Sequence, residues 1–339
     1  MKSEIVDNKR STIVIHKVLF DNEKEAPIAF LDSKFALSIK IGKGATSTVY
    51  LGTESNSPTK FAFKTSKEPS IIANEYNILS QIPSNKFIIS PLSIGYNKTL
   101  YKTKTSNNKN INYIQLPYYP HGSLFDYIFY PKKSLGENFS RIILRNLLNA
   151  ISSIHSANIA HLDIKCENIL IDDDFNPIIV DFGFAEKDTG FLTEFRGTEG
   201  YAAPEIYTKL PFNGRSCDIF ALGVVMFIVV TGEMPFRSSN RSDGFYSMLI
   251  ENDYESFWRK RRVKVSENFK SLFNMMVALN PTQRPSIEEI LRCKWMVEGD
   301  YSAENTKVMH TEMSRRFKLI TLKKKNSKHE VKENIFVHN

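Results

Sequence analysis

The spacing of apolar positions divides the chain into stretches of different period. From Phe35, FALSIKIGKGATSTVYLG carries β-branched and aromatic residues on both sides of a glycine-containing turn, and Phe61 to Lys64 (FAFK) alternates as a half-buried strand does. Paired strands are predicted there. Asn85 to Tyr101 predicts a further pair of strands, and Thr103 to Asn112 a polar hairpin loop. After Leu124 the period becomes helical: Leu124 to Tyr130, then Phe139 to His155, the latter with Leu144, Leu147, Leu148, Ile151 and Ile154 on one broad face. The twelve residues Ile219 to Val230 are apolar throughout, which predicts a fully buried helix. That run is well short of the roughly 20 residues needed to cross a bilayer, so no membrane is expected.

The two ends read differently. Residues 1–34 hold one apolar patch, Ile13-Val14-Ile15 with Val18-Leu19-Phe20, and a charged segment Asp21 to Glu25. This extension either adds a strand to the first lobe or has no fixed structure, and it is assigned no function. In the tail, residues 298–339, Met309, Met313, Phe317 and Ile320 fall at i, i+4, i+8 and i+11, an apolar stripe against a basic side. A calmodulin-type or autoinhibitory helix has that pattern. So do many solvated basic tails, and on their commonness a solvated tail is the favoured expectation.

Composition adds bounds. A chain of 339 residues with 42% hydrophobic and 24% charged positions is long enough for two lobes and ordinary for a globular protein. The net charge of +8 would suit an anionic partner, but the lysines are dispersed and no nucleic-acid module or aromatic-basic interleaving accompanies them. No nucleic acid is expected. Cys166, Cys217 and Cys293 form no CxxC pair, so neither a disulfide framework nor a zinc site is indicated. With no leader-like apolar stretch at the start, a cytoplasmic setting is expected and a nuclear one stays open.

Candidate chemistry concentrates in HLDIKCEN, His161 to Asn168. Asp163 could take a proton from a hydroxyl, Lys165 could neutralise a transferring anionic group, and the amide oxygen of Asn168 is a hard ligand suited to Mg²⁺. Taken alone, the loop would equally suit a polar connection between a helix and a strand. Asp181, in the turn Asp181-Phe182-Gly183, is a second oxygen donor for a metal. Gly42 and Gly44, lacking a Cβ, let backbone approach phosphate oxygens closely.

IGKGATSTVY, FAFK, HLDIKCEN, DFG, GTEGYAAPE (Gly197 to Glu205) and DIFALG (Asp218 to Gly223), in this order, resemble the eukaryotic protein-kinase family. The likeness covers Phe35 to Val297. Lys165 and Thr198 follow the Ser/Thr-type pattern, with a calmodulin-dependent-kinase flavour at most. The resemblance implies a two-lobed α+β fold: a small β-rich N-lobe at 35–116 and a larger helical C-lobe at 117–297. It implies ATP and Mg²⁺ as cofactors, and a protein substrate. Asp163 would orient and deprotonate the acceptor, with Lys165 beside it, Lys64 held by Glu75, and Asn168 and Asp181 on the metal. Ile41, Gly42, Lys43, Gly44, Val49, Ala62, Lys64, Leu116, Pro117, Tyr119 and Leu170 would surround the nucleotide. His161, Asp218 and the pair Glu205 and Arg284 would be structural.

The chain departs from the family pattern in several places. Ser47 replaces the third glycine of the nucleotide loop, and Leu162 replaces the common arginine. Glu194 stands three residues before Gly197, where many relatives carry a regulatory threonine, and Lys187 or Arg196 are its candidate partners. Both halves of the usual phosphorylation switch are thereby missing, so activity independent of activation-segment phosphorylation is expected. Only eleven residues separate Lys64 from Glu75, and Pro69 between them predicts a short or distorted helix. Glu167 resembles an acidic position that favours basic substrates; Ile228 lies where several such relatives have a second acid, so only a mild basic preference is expected. The rival reading is a catalytically silent scaffold that binds nucleotide or partners.

Overall fold

A computed structural model describes residues 14–15, 27–55, 57–102, 108–190, 192–194, 196–208 and 210–336, with side chains described from 27 to 325. The apolar patch Val18 to Phe20, the charged segment Asp21 to Glu25 and residues 103–107 of the expected hairpin loop lie outside the described residues.

The N-terminal lobe is built on strands β1 (Val14–Ile15), β2 (Ala29–Leu31), β3 (Phe35–Lys43), β4 (Thr48–Glu54), β5 (Lys60–Ser66), β6 (Ser93–Lys102) and β7 (Lys109–Pro117). All pairings are antiparallel, and their order closes on itself. β3 pairs along one edge with β4 and along the other with β2, while β2 also pairs with β6, giving the circuit β3-β2-β6-β7-β5-β4. Strand alternation, with a register shift in β3 between Leu37 and Ile39, sorts the side chains. Leu31, Phe35, Leu37, Phe63, Leu100, Ile111 and Tyr113 gather on one face as a separate small core, with Phe35 and Phe63 ring centroids 4.7 Å apart. Ile39, Val49, Leu51, Ala62, Ile114 and Leu116 turn the other way and join the main core.

The N-terminal extension therefore contributes two strands: Ala29 and Leu31 of β2 are buried in the small core, and Val14 and Ile15 of β1 pair with Lys43 and Gly42. The expected pair of strands at 85–101 is corrected to one, β6. The stretch before it is a loop because Phe87, Ile88 and Ile89 are all buried, with Ile88 bridging to Ile179. Its backbone meets the strand Pro177–Ile179 only at Ile179, through Ile89 N to Ile179 O at 3.0 Å and Ile179 N to Phe87 O at 2.8 Å, a single bridge and not a ladder.

Helix α1 (Pro69–Gln81) is a regular helix of 13 residues, not the short or distorted one expected from Pro69. Proline sits at its first turn, where no backbone N–H is needed and its fixed φ suits entry.

The second lobe contains α2 (Leu124–Phe129), α3 (Gly136–Ser156), short strand pairs β8 (Ile159–Ala160) with β11 (Glu186–Lys187) and β9 (Ile169–Ile171) with β10 (Pro177–Ile179), and α4 (Gly214–Thr231). It continues with α5 (Gly244–Ile250), α6 (Tyr254–Arg261), α7 (Glu267–Met276), α8 (Ile287–Arg292) and α9 (Lys294–Val297). α4 is the helix expected at Ile219 to Val230. It is long and apolar enough to cross a membrane by composition, and 83% of it is buried inside this lobe. Asn213 caps its start by accepting from Ser216 N, and Gly232 at φ 84° ends it.

The solvated tail expected after residue 298 is corrected: α10 (Ala303–Phe336) is a helix docked on the outer side of α2 and α3. Met309, Met313 and Ile320 are buried, and Phe317 packs on His121 at 4.4 Å. Arg316 is buried among carbonyls left open at the end of α2 and the turn after it. It donates to Tyr127 O at 2.8 Å, Lys133 O at 2.6 Å and Ser134 O at 2.6 Å, and to the Glu312 carboxylate at 2.8 Å. Lys324 reaches Asp126 at 2.9 Å. Each fully buried Met or Ile contributes about 1.5–3 kcal/mol toward holding the helix on the lobe. The stripe legible in the sequence is thus the buried side.

Candidate active site

β5 presents Lys64 toward the interlobe cleft while its neighbours Phe63 and Thr65 point away, as a two-residue period requires. α1 brings Glu75 to it. The Lys64 ammonium is bonded by the Glu75 carboxylate and donates to Asp181 Oδ1 at 2.7 Å. All three side chains are nearly buried. Burial alone would lower the lysine pKa, but Asp181 and Glu75 outweigh it, and the ammonium titrates above its ordinary range. Two acids share one cation, so burial and the Asp181 charge raise Glu75 against the pull of Lys64. Asp181 itself sits at φ 61°, a left-handed conformation uncommon for a residue with a side chain and frequent at functional turns.

Across the cleft, the loop between β8 and β9 carries a closed hydrogen-bond network. The Thr198 hydroxyl donates to Asp163 Oδ1 at 2.6 Å and accepts from Lys165 Nζ at 2.7 Å. Lys165 also lies 3.0 Å from Asp163 Oδ2, and Asn168 Nδ2 donates to that same oxygen at 2.8 Å. The amide nitrogen of Asn168 is spent on Asp163, which fixes its oxygen as the acceptor. A β-carbon on Gly197, at φ 113°, would stand 2.9 Å from Leu162 O; glycine is what lets Thr198 come so near the loop.

The loop is held from behind. Asp218 accepts from His161 N at 2.9 Å, from Leu162 N at 2.8 Å and from the His155 ring at 2.9 Å. His161 is fully buried, its Nδ1 accepting from Asp163 N and its Nε2 facing Val180 O at 3.1 Å. Such a ring packs and positions; it is not presented to solvent or ligand. Glu205 and Arg284 form a bidentate pair at 2.5 and 2.7 Å.

Between the two networks lies a cavity lined by Ile41, Val49, Ala62, Leu116 and Leu170, with Pro117 and Tyr119 on its edge and Lys64, Glu75, Asn168 and Asp181 at its inner end. Register accounts for this: Ala62 pairs with Leu116, and Val49 with Lys64. Gly42, Lys43 and Gly44 end the β3–β4 hairpin and do not line the cavity; Gly44 N donates to Ser47 O at 2.8 Å. Val180 and Ile89 do line it and were missed. Val180 was legible as the apolar residue before Asp181, whereas Ile89 enters through a loop with no periodic signal.

Of the two candidate partners for Glu194, the structure has Arg196, at 3.0 Å, and the same guanidinium holds a second acid that the sequence did not announce, Glu186 at 2.6 Å. Arg196 also donates to Phe184 O at 3.3 Å. No cluster of three or more His, Cys, Asp or Glu side chains suited to a metal occurs among the described residues. Asn168 and Asp181 offer a sparse set of hard oxygens, which fits Mg²⁺, an ion usually held by one or two carboxylates together with phosphate oxygens and water.

Comparison with known proteins accords with this geometry. The protein kinase domain family matches residues 35–296. The maternal embryonic leucine zipper kinase of Xenopus tropicalis is 30% identical over 270 residues, 78% of this chain and 39% of that protein. The probable serine/threonine-protein kinase MARK-B of Dictyostelium discoideum is 30% identical over 270 residues, 78% and 36% respectively. Human NUAK family SNF1-like kinase 1 is 30% identical over 272 residues, 79% and 39%. The chain spans less than two fifths of the length of these relatives. On a family match over most of its length, and on these relatives, the chain belongs to the eukaryotic protein kinase family.

Proposed function

We propose that the chain transfers the γ-phosphoryl group of ATP to a serine or threonine hydroxyl of a protein substrate, in a reducing, cytoplasmic setting. The observation that carries this reading is the convergence of two networks on one cleft: Lys64–Glu75–Asp181 on one wall, Asp163–Thr198–Lys165–Asn168 on the other.

In this reading the acceptor hydroxyl hydrogen-bonds Asp163, whose carboxylate is aimed by Thr198 and Asn168 and takes the proton as the acceptor oxygen becomes nucleophilic. Lys165 neutralises charge on the transferring group, and Lys64 positions the α- and β-phosphates from a site made rigid by Glu75. Asn168 and Asp181 would hold Mg²⁺, which when bound supplies charge neutralisation between phosphate oxygens. The apolar cavity takes the adenine, with Pro117 C=O and Tyr119 N–H as its edge contacts.

Activation without phosphorylation of the segment belongs to the same proposal, with Arg196 gathering Glu186 and Glu194 where relatives use phosphate. The departures at Ser47 and Leu162 favour the scaffold reading; the short Lys64 to Glu75 interval no longer does, since the ion pair forms across it. Asp163→Asn discriminates. Phosphate transfer from labelled ATP should fall by about 10²–10⁴, while nucleotide affinity by calorimetry stays within twofold. Transfer undiminished in this variant, or none in the unmodified protein, would overturn the proposal.

A further inference from the structure

The segment beside the catalytic loop is braced from its far side by the loop that follows α4. Ser239 Oγ donates to Ala202 O at 2.7 Å, and the Met234 methyl lies 2.9 Å from where a β-carbon on Gly200 would stand. Tyr201, between them, donates to Glu167 at 3.2 Å. From this junction a groove of about 810 Å³ opens between that loop, α5 and the end of α6. Its floor is apolar, with Met234, Phe245 and Met248, and its rim carries Arg237, Lys260 and Arg261.

The acids near this groove are already engaged. Asp243 caps α5, accepting from Phe245 N and Tyr246 N at 2.9 Å each and from Arg237 N at 3.0 Å. Glu233 is bonded to Arg261 at 2.5 Å, and Arg261 is fixed over the Phe245 ring at 4.7 Å. Arg237 and Lys260 are exposed and form no ion pair among the described residues, although Asp253 lies near enough to feel the Lys260 charge.

We propose that this groove is a docking subsite for the protein substrate, taking a segment in which an apolar anchor is flanked by carboxylates. The inference rests on the kinase reading. Carboxylates complement the exposed Arg237 and Lys260, and a guanidinium binds them in bidentate fashion. An apolar anchor covers a floor whose methionines adapt to irregular shapes. The groove adjoins the segment beside the catalytic loop where Met234, one of its lining residues, packs on Gly200. The preferences of the two regions then differ in sign: mildly basic beside Glu167, acidic in the groove.

The test uses the full chain and two peptides with the same phosphoacceptor core. One is short; the other is extended on either side, in a spacing series, by a leucine set among glutamates. The extension should lower KM at least tenfold with kcat little changed. Arg237→Glu combined with Lys260→Glu should erase that gain, leave the short peptide's rate unaltered, and regain affinity for an extension carrying lysines in place of glutamates. An extended peptide treated like the short one at every spacing overturns the docking site alone. If the unmodified protein phosphorylates neither peptide, the kinase reading fails. Fluorescence anisotropy of the labelled extended peptide, on the unmodified protein and the charge-reversed variant, then still decides the groove, since equal binding by both overturns it.

Discussion

Leu162 is buried at φ 62°, and its side chain lies 3.2 Å from where a β-carbon on Gly214 would stand. A left-handed conformation costs a residue with a side chain about 1–2 kcal/mol, and the two backbone bonds to Asp218 keep it there. The position where the kinase resemblance leads one to expect arginine is apolar packing in this chain, and the cation that meets Glu186, Glu194 and Phe184 O is Arg196. The Glu194–Arg196 pair was legible from proximity along the chain. Glu186 was not, because it arrives through the pairing of β11 with β8, which no local pattern announces. The magnitudes separate the two acids' roles from the cation's. Glu194 is 61% exposed, and an exposed pair contributes about 0.2–1 kcal/mol. Glu194→Gln should therefore change kcat by less than about fivefold. Arg196→Ala, which also strands Phe184 O and Glu186, should lower kcat more, and phosphatase-treated protein should match untreated protein. A phosphatase-treated enzyme inert until modified on Thr189 or Thr193 would end that account.

At the scale of elements, periodicity identified most helices and strands that build the site, since each pairs one buried face with one functional or solvent face. It identified the stripe on α10 too, but a sequence cannot display the receiving surface. That surface consists of α2, α3 and the ring of His121, assembled from distant stretches. Arg316, the residue that fixes the docking, gave no signal because an arginine in a basic tail looks like any other charge. Its removal leaves three carbonyls without a donor, each costing about 1–3 kcal/mol when buried. Arg316→Ala should lower the thermal midpoint by several degrees and raise amide exchange across 303–325; an unchanged exchange pattern would mean the helix is held by Met309, Met313 and Ile320 alone. A calmodulin-type partner that reads this stripe would first have to peel the helix away.

For the whole molecule, the two-lobed architecture was implied by the ordered motifs that resemble the kinase family, and so were most of the residues that line the cleft. The closure of the N-lobe sheet was not. It depends on β2, three residues long, whose partners β3 and β6 are remote from one another in sequence. Deleting residues 1–34 would uncover Phe35, Phe63 and Tyr113 and remove Ala29 and Leu31 from their core. Burying a side chain of that kind contributes about 1.5–3 kcal/mol, so the truncated protein should unfold at lower denaturant concentration, with the first loss read in N-lobe amide protection.

Both β2 and α10 lie outside the stretch shared with the family, which ends at 35 and 296. A chimera cut at those limits and joined to a relative's flanks would inherit an open-sided barrel and a bare hydrophobic trough. Domain borders drawn by likeness and borders drawn by packing do not coincide in this chain.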